Sequence, residues 1–226
     1  MKKNLISIFS IVLVLLSAGC KKESEGVTEV MDYVNIQLLG DNPYVSLLGG
    51  DYEEPGFTAT YKGQDYSSNV TVKSNVNPTY PGIYSVTYSA KNPQGYDYPV
   101  TRDVYVLNPG GVANIYLATC QMGSTVFRNI VTVVSEVSKG VYQIDDLCGG
   151  YYYAGRYPGY EPTYNFHATT TFTLGEDGSI NVLKASSWYF VNSFDYSNIS
   201  GGFDFETCVF DYDFDGLKVK LIPFEL

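Results

Sequence analysis

Phe210-Asp211-Tyr212-Asp213-Phe214-Asp215-Gly216-Leu217-Lys218-Val219-Lys220-Leu221 shows the fold of this 226-residue chain in miniature. Asp215-Gly216 is a favoured dipeptide for a two-residue type I′ turn, in which both central residues take positive φ. Folding the chain there sets Phe214 opposite Leu217, Tyr212 opposite Val219 and Phe210 opposite Leu221, all on one face. The other face pairs Asp213 with Lys218 and Asp211 with Lys220, and each such pair contributes roughly 0.2–1 kcal/mol. A chance register would not match both faces at once, so the stretch predicts a β-hairpin. The same run opens like a calcium loop, D-x-D-x-D-G, but an EF-hand needs a glutamate at its twelfth position. Ile222 stands there. The carboxylates therefore read as strand residues, and no metal or other cofactor is expected.

The same style extends outward. Strand-like runs cover 115–118, 127–137, 141–144, 166–174, 179–183, 187–191 and 203–221 in the second half. In the first half they cover 34–38, 44–47, 57–61, 70–73, 82–90 and 100–107. Turn signals such as Lys62-Gly63, Pro81-Gly82 and Glu176-Asp177-Gly178 separate them. Tyr84, Val86 and Tyr88 alternate with Ser85, Thr87 and Ser89. Val100, Arg102, Val104 and Val106 share a face, with the Arg102 head expected to reach water from near the strand start. Tyr numbers 22 and Phe 12, charged residues are only 17%, and no helical periodicity exceeds about two turns. The chain reads as all-β: an Ig-like β-sandwich over 31–108, a linker at 109–111, and a second antiparallel β-sandwich or barrel-like domain over 112–226.

A family resemblance supports the first sandwich. Gly50-Asp51-Tyr52-Glu53-Glu54-Pro55-Gly56-Phe57-Thr58-Ala59 resembles the Y-x-D-P-G-x-x-A element of a bacterial Ig-like domain found in pesticidal crystal proteins and in Bacteroidetes lipoproteins. The elements 63–72, 81–88 and 102–106 follow in the family's order, with Glu54 where Asp is usual. The resemblance implies a spacer or adhesive module and supplies no catalytic residue. The whole order, with Gly140 to Tyr152 as its second signature, is similar to two-domain Bacteroidetes lipoproteins of uncharacterised function.

The N-terminus is read as an export signal. Lys2 and Lys3 precede a short apolar run over 5–16, then Ser17-Ala18-Gly19-Cys20. The run is too short to span a bilayer, which takes about 20 residues. It resembles a lipobox with Ser17 in place of the usual large apolar residue, so 1–19 is expected to be removed and Cys20 to carry lipid. Residues 20–30 then form a polar tether. Outer-membrane, cell-surface anchoring follows as the expected localisation. With Lys2 and Lys3 removed, 12 basic residues face 24 acids, a formal charge of −12. Such a chain repels phosphate backbones, so nucleic acid is not an expected partner, and contact with the membrane is expected through the anchor alone. Cys120, Cys148 and Cys208 form no C-x-x-C pattern. One disulfide, or three buried thiols, are both compatible with an exported β protein.

Function rests on one segment. Tyr151-Tyr152-Tyr153-Ala154-Gly155-Arg156-Tyr157-Pro158-Gly159-Tyr160 is a tyrosine-rich loop by its glycines and proline. Aromatic faces stack on the C–H groups of sugar rings, while hydroxyls and Arg156 supply polar contacts. Tyr151, Tyr153, Arg156, Tyr157, Tyr160 and the lone Trp188 are therefore the candidate ligand-binding residues. Alternatively, alternate tyrosines and Trp188 pack into the core. His167 lies in a strand-like run without a nucleophile motif, so no catalytic residue is assigned. The expectation is a non-catalytic glycan-binding lipoprotein, with a structural or adhesive role on another envelope protein, or a glycan-processing enzyme, as the alternatives.

Overall fold

A computed structural model describes residues 31–225. Export, lipidation at Cys20 and the tether are expectations that fall on residues 1–30, outside the described residues. The hairpin forms in the predicted register, Phe210↔Leu221 through Phe214↔Leu217. Asp215 and Gly216 both have positive φ, 50° and 76°, as a type I′ turn requires. Phe210, Tyr212, Phe214, Leu217, Val219 and Leu221 are all buried. Lys220 Nζ lies 3.4 Å from Asp211 on the wet face.

Fifteen strands are described: β1 (Asn35–Leu38), β2 (Tyr44–Leu47), β3 (Phe57–Tyr61), β4 (Gln64–Asp65), β5 (Thr71–Ser74), β6 (Gly82–Ser89), β7 (Val100–Leu107), β8 (Asn114–Met122), β9 (Thr125–Ser138), β10 (Val141–Ile144), β11 (Thr170–Leu174), β12 (Ile180–Ala185), β13 (Ser200–Asp204), β14 (Val209–Phe214) and β15 (Leu217–Pro223). The first seven form two sheets, β1-β3-β4 and β2-β7-β6-β5, around Val34, Ile36, Ala59, Val86, Tyr88 and Val104. This is an all-β sandwich; β2 joins its sheet in parallel with β7.

The other eight strands make one antiparallel sheet, β12-β11-β10-β9-β8-β15-β14-β13. Its two edges meet through a Ser179↔Gly202 bridge, and Phe203 N–H donates to Gly178 O at 2.8 Å. The sheet is thus nearly closed into a barrel, which removes most of its exposed edge. Register shifts after Ala118, Val141 and Thr171 mark bulges, the irregularities that give a sheet the curvature closure needs. Tyr116, Phe172, Phe210, Phe214 and Trp188 fill the interior.

Residues 109–111 join the two halves as a turn. Asn108 N–H donates to Asn114 Oδ1 at 2.9 Å, and Asn108 Nδ2 to Ala113 O at 3.1 Å. Val106, Leu107, Ala113 and Ile115 are buried at the join, where the Tyr105 and Phe224 rings meet edge-on at 5.3 Å. Among the described residues, the chain from Tyr33 onward forms one compact unit.

Three expectations need correction. Arg102 does not reach water: it is 0% exposed. Its Nε donates to Glu54 Oε1 at 2.7 Å, Nη1 to Asp41 O, and Nη2 to Leu39 O and Gly56 O. A carboxylate and three carbonyls replace the lost hydration, which is what a buried guanidinium needs. Residues 187–191 are not a strand: they turn into a short 3₁₀ segment, Val191–Ser193, that lays Trp188 into the barrel. Glu206 lies in the β13–β14 turn, not on a strand.

Candidate functional site

The tyrosine-rich stretch begins behind a buried carboxylate. Asp146 is 0% exposed and accepts three backbone N–H groups: Cys148 at 3.1 Å, Ala168 at 2.9 Å and Gly150 at 2.6 Å. Burial pushes its carboxyl up to about 6, while those three N–H donors act in the opposite direction. Burial likewise raises the neighbouring Asp145, which Thr132 Oγ1 and Val133 N–H bind. Asp146 thereby ties the start of the aromatic segment to the strand-like run carrying Phe166 and His167.

Residues Tyr151–Arg156 make one turn of π-helix, not an irregular loop. Gly155 N–H reaches back to Gly150 O at 3.0 Å and Tyr157 N–H to Tyr152 O at 2.8 Å. Two glycines permit it. Gly150 has φ +83°, and a Cβ there would lie 2.4 Å from Ile130. A Cβ on Gly155 would lie 2.3 Å from the Phe127 ring. The turn presses flat against β9, and no side chain fits between them.

This divides the six candidate residues. Tyr151 and Trp188 are each 4% exposed; they are core side chains, which corrects their assignment to a ligand face. Tyr151 packs edge-on against Phe127, and Trp188 Nε1 donates to Tyr196 Oη at 2.7 Å. Tyr153 is half-buried, stacks on His167 at 3.9 Å and donates its hydroxyl to Val131 O at 3.3 Å, so it too is committed to the protein. Arg156 is exposed at the end of the turn. Tyr157 and Tyr160 alone among the six line a cleft.

That cleft has a volume of about 220 Å³ and is lined by Tyr157, Tyr160, Tyr164, Phe166, Tyr189 and Phe190. Phe166, buried, stacks on Tyr157 at 4.7 Å and 18° and forms the floor. Tyr160, Tyr164 and Tyr189 are 53%, 45% and 60% exposed and form the rim. Tyr164 meets Tyr189 edge-on at 5.7 Å. His167 Nε2 and Glu161 Oε2, 3.1 Å apart, pin the loop between Tyr160 and Tyr164. The hydroxyls of the four lining tyrosines make no hydrogen bond within the described residues. Tyr84, Tyr88, Tyr116 and Tyr212, by contrast, donate to protein acceptors. Aromatic faces beside uncommitted hydroxyls suit a ligand with both C–H faces and hydroxyl groups.

Sequence reasoning missed Tyr164, Phe166, Tyr189 and Phe190. Tyr189 and Phe190 adjoin Trp188, but nothing local says that the chain turns there and aims successive side chains inward and outward. Cys120, Cys148 and Cys208 are free, buried thiols. Burial pushes Cys120 up to about 12 and Cys148 well above its ordinary value. Among the described residues no cluster of His, Cys, Asp and Glu side chains is arranged to hold a metal ion, and no helix is long and apolar enough to cross a membrane.

Comparison with known proteins adds the family. The crystal structure of the lipoprotein BT2262 from Bacteroides thetaiotaomicron matches with TM-score 0.58 and 25% identity, over 84% of this chain and 98% of that one. A structure of CBM51-2 in complex with GlcNAc and INT domains from Clostridium perfringens ZmpB is paired with 84% of this chain and 43% of that one. Its TM-score is 0.28 at 12% identity, too low to carry an argument. No curated protein matches the chain. Residues 36–106 match the Ig-like domain of bacterial surface proteins, and residues 108–222, just over half of the chain, match a family defined by a C-terminal domain. The chain therefore belongs to the family defined by that C-terminal domain, which here follows a bacterial surface Ig-like domain.

Proposed function

We propose that this protein is a lipid-anchored envelope protein that captures a glycan in the aromatic cleft of its barrel and does not alter it chemically. The observation that carries the reading is the cleft itself: six aromatic side chains around about 220 Å³, four of them tyrosines whose hydroxyls make no hydrogen bond among the described residues. Sugar rings offer the complementary surface, apolar C–H faces edged by hydroxyls. The BT2262 match, a lipoprotein by its description, together with the Ser17-Ala18-Gly19-Cys20 stretch, supports an anchor at Cys20; placement at the outer membrane, facing outward, is part of the proposal. The Ig-like sandwich, joined to the barrel through the buried residues around Asn108 and the Tyr105–Phe224 contact, then acts as the spacer that holds the cleft away from the lipid.

Glycan-array binding of the purified protein tests the reading. Tyr160→Ala and Tyr189→Ala should each weaken retention about three- to tenfold while circular dichroism and the melting temperature stay unchanged, since both side chains are exposed. Binding by no glycan, or equal binding by both variants, overturns it. In cells, Cys20→Ala should eliminate labelling by radioactive palmitate; labelling that persists would remove the anchor from the proposal.

A further inference from the structure

We infer that the cleft receives a single neutral pyranose ring, a chain end or a pendant residue, and not an internal stretch of polysaccharide. This deepens the glycan reading and rests on it. Size is the first argument. At about 220 Å³ the cleft falls below the roughly 300–1,000 Å³ that enclose a drug-sized ligand. The exposed rings of Tyr160, Tyr164 and Tyr189 stand around the floor ring of Phe166, with Tyr160 turned 72° from it and Tyr189 48°. The lining forms a basin around one ring, not a platform on which successive rings could stack.

Charge is the second argument. No charged side chain lines the basin. The nearby loop carboxylate, Glu161, is held by His167 at 3.1 Å. Moving a carboxylate or sulfate against aromatic walls without a cation leaves its lost hydration uncompensated. The acidic chain, with a formal charge of −10 over its full length, repels such groups at longer range as well. Tyrosine hydroxyls both donate and accept, which matches the neutral hydroxyls of a hexose or a methyl glycoside.

Affinity follows from this geometry. One ring against a few aromatic contacts binds weakly, and added sugar units outside the basin find no further site. Retention of a polysaccharide then comes from many anchored copies engaging many chain ends, where effective concentration replaces single-site strength.

Titration of the purified protein by NMR and calorimetry tests this. The panel is the methyl glycosides of neutral hexoses, the corresponding uronates, and the neutral oligosaccharide series up to the hexasaccharide. The expected result is a neutral monosaccharide whose dissociation constant is unchanged along its oligosaccharide series, with the uronate at least about tenfold weaker, a gap of about 1.4 kcal/mol. Tyr189→Ala should weaken binding about three- to tenfold, the range of one aromatic contact, while Phe205→Ala, exposed at the barrel seam and outside the cleft, should leave it unchanged. Affinity that climbs with every added unit, or a uronate that binds as well as its hexose, overturns the single-neutral-ring inference while leaving glycan binding intact. Binding of no sugar overturns both.

Discussion

Replacing Glu54 with glutamine should expose how the Ig-like sandwich is held together. Arg102 is 0% exposed, and among the described residues Glu54 is its one charged partner, at 2.7 Å. Tyr52, Tyr88 and Gly56 N–H also donate to the same carboxylate. In Glu54→Gln the guanidinium keeps three carbonyls but loses its counter-charge. Breaking a buried ion pair from one side costs about 3–5 kcal/mol. The Glu54 side chain is 24% exposed, so water screens part of the interaction and the lower end, about 3 kcal/mol, applies. For a protein of this size each kcal/mol moves the melting temperature by about 2–4 °C, giving a fall of about 6–12 °C. The pH dependence has a definite sign. Burial pushes the Glu54 carboxyl up, but hydrogen bonds from Tyr52, Tyr88, Arg102 and Gly56 N–H outweigh it and hold it below its ordinary value. A depressed carboxyl contributes stability that is complete above the unfolded value of about 4.3 and is lost as pH falls through the folded value. The gap between wild type and variant should therefore be largest near neutrality and narrow in acid. Urea denaturation followed by circular dichroism at pH 7 and pH 3 measures it. A cost below about 1 kcal/mol at pH 7, or an equal gap at both pH values, would refute the assignment of the pair as a structural centre. The double variant Glu54→Gln/Arg102→Met should recover part of the loss, the remainder reflecting the orphaned carbonyls of Leu39 and Asp41, since Gly56 O keeps the Leu39 N–H at 3.0 Å.

Three further outcomes are expected. Gly155→Ala should destabilise the barrel by about 1–3 kcal/mol, the cost of overpacking, because its Cβ would meet the Phe127 ring at 2.3 Å; a neutral effect in thermal melting would contradict the packed π-turn. Trp188→Ala should cost about 3–5 kcal/mol in the same assay, whereas Tyr189→Ala, beside it in sequence, should stay within about 0.5 kcal/mol; equal costs would place both rings wrongly. Cys120, Cys148 and Cys208 should remain unreactive toward a thiol reagent in the native protein and all react in denaturant, since they are buried and unpaired; fast labelling of Cys148 under native conditions would refute its burial.

Local chemistry made most of the architecture readable from residues alone. The 210–221 hairpin is specified by a turn dipeptide and two matched faces, all within twelve residues, and it forms in that register. The strands Tyr44–Leu47, Phe57–Tyr61, Val100–Leu107 and Val141–Ile144 fall where apolar and β-branched runs meet turn signals. The all-β class and the Ig-like half follow from the same short-range patterns. Near-closure of the second sheet does not, because it depends on a bridge between residues 179 and 202 that no sequence pattern pairs. Arg102 misled for a related reason. Its position on the strand was legible, but the carboxylate and carbonyls that satisfy it come from residues 39–56, 46 to 63 positions away in the chain. The cleft is the clearest case. Tyrosine-rich composition marked the right segment, yet Tyr151 and Trp188 point inward while Tyr157, Tyr160, Tyr164 and Tyr189 meet at the surface. Which way an aromatic ring faces is set by the π-turn after Gly150, by Asp146 holding three backbone N–H groups, and by the turn at 187–191. Composition supplied the rings; long-range packing alone decided which of them enclose a cleft.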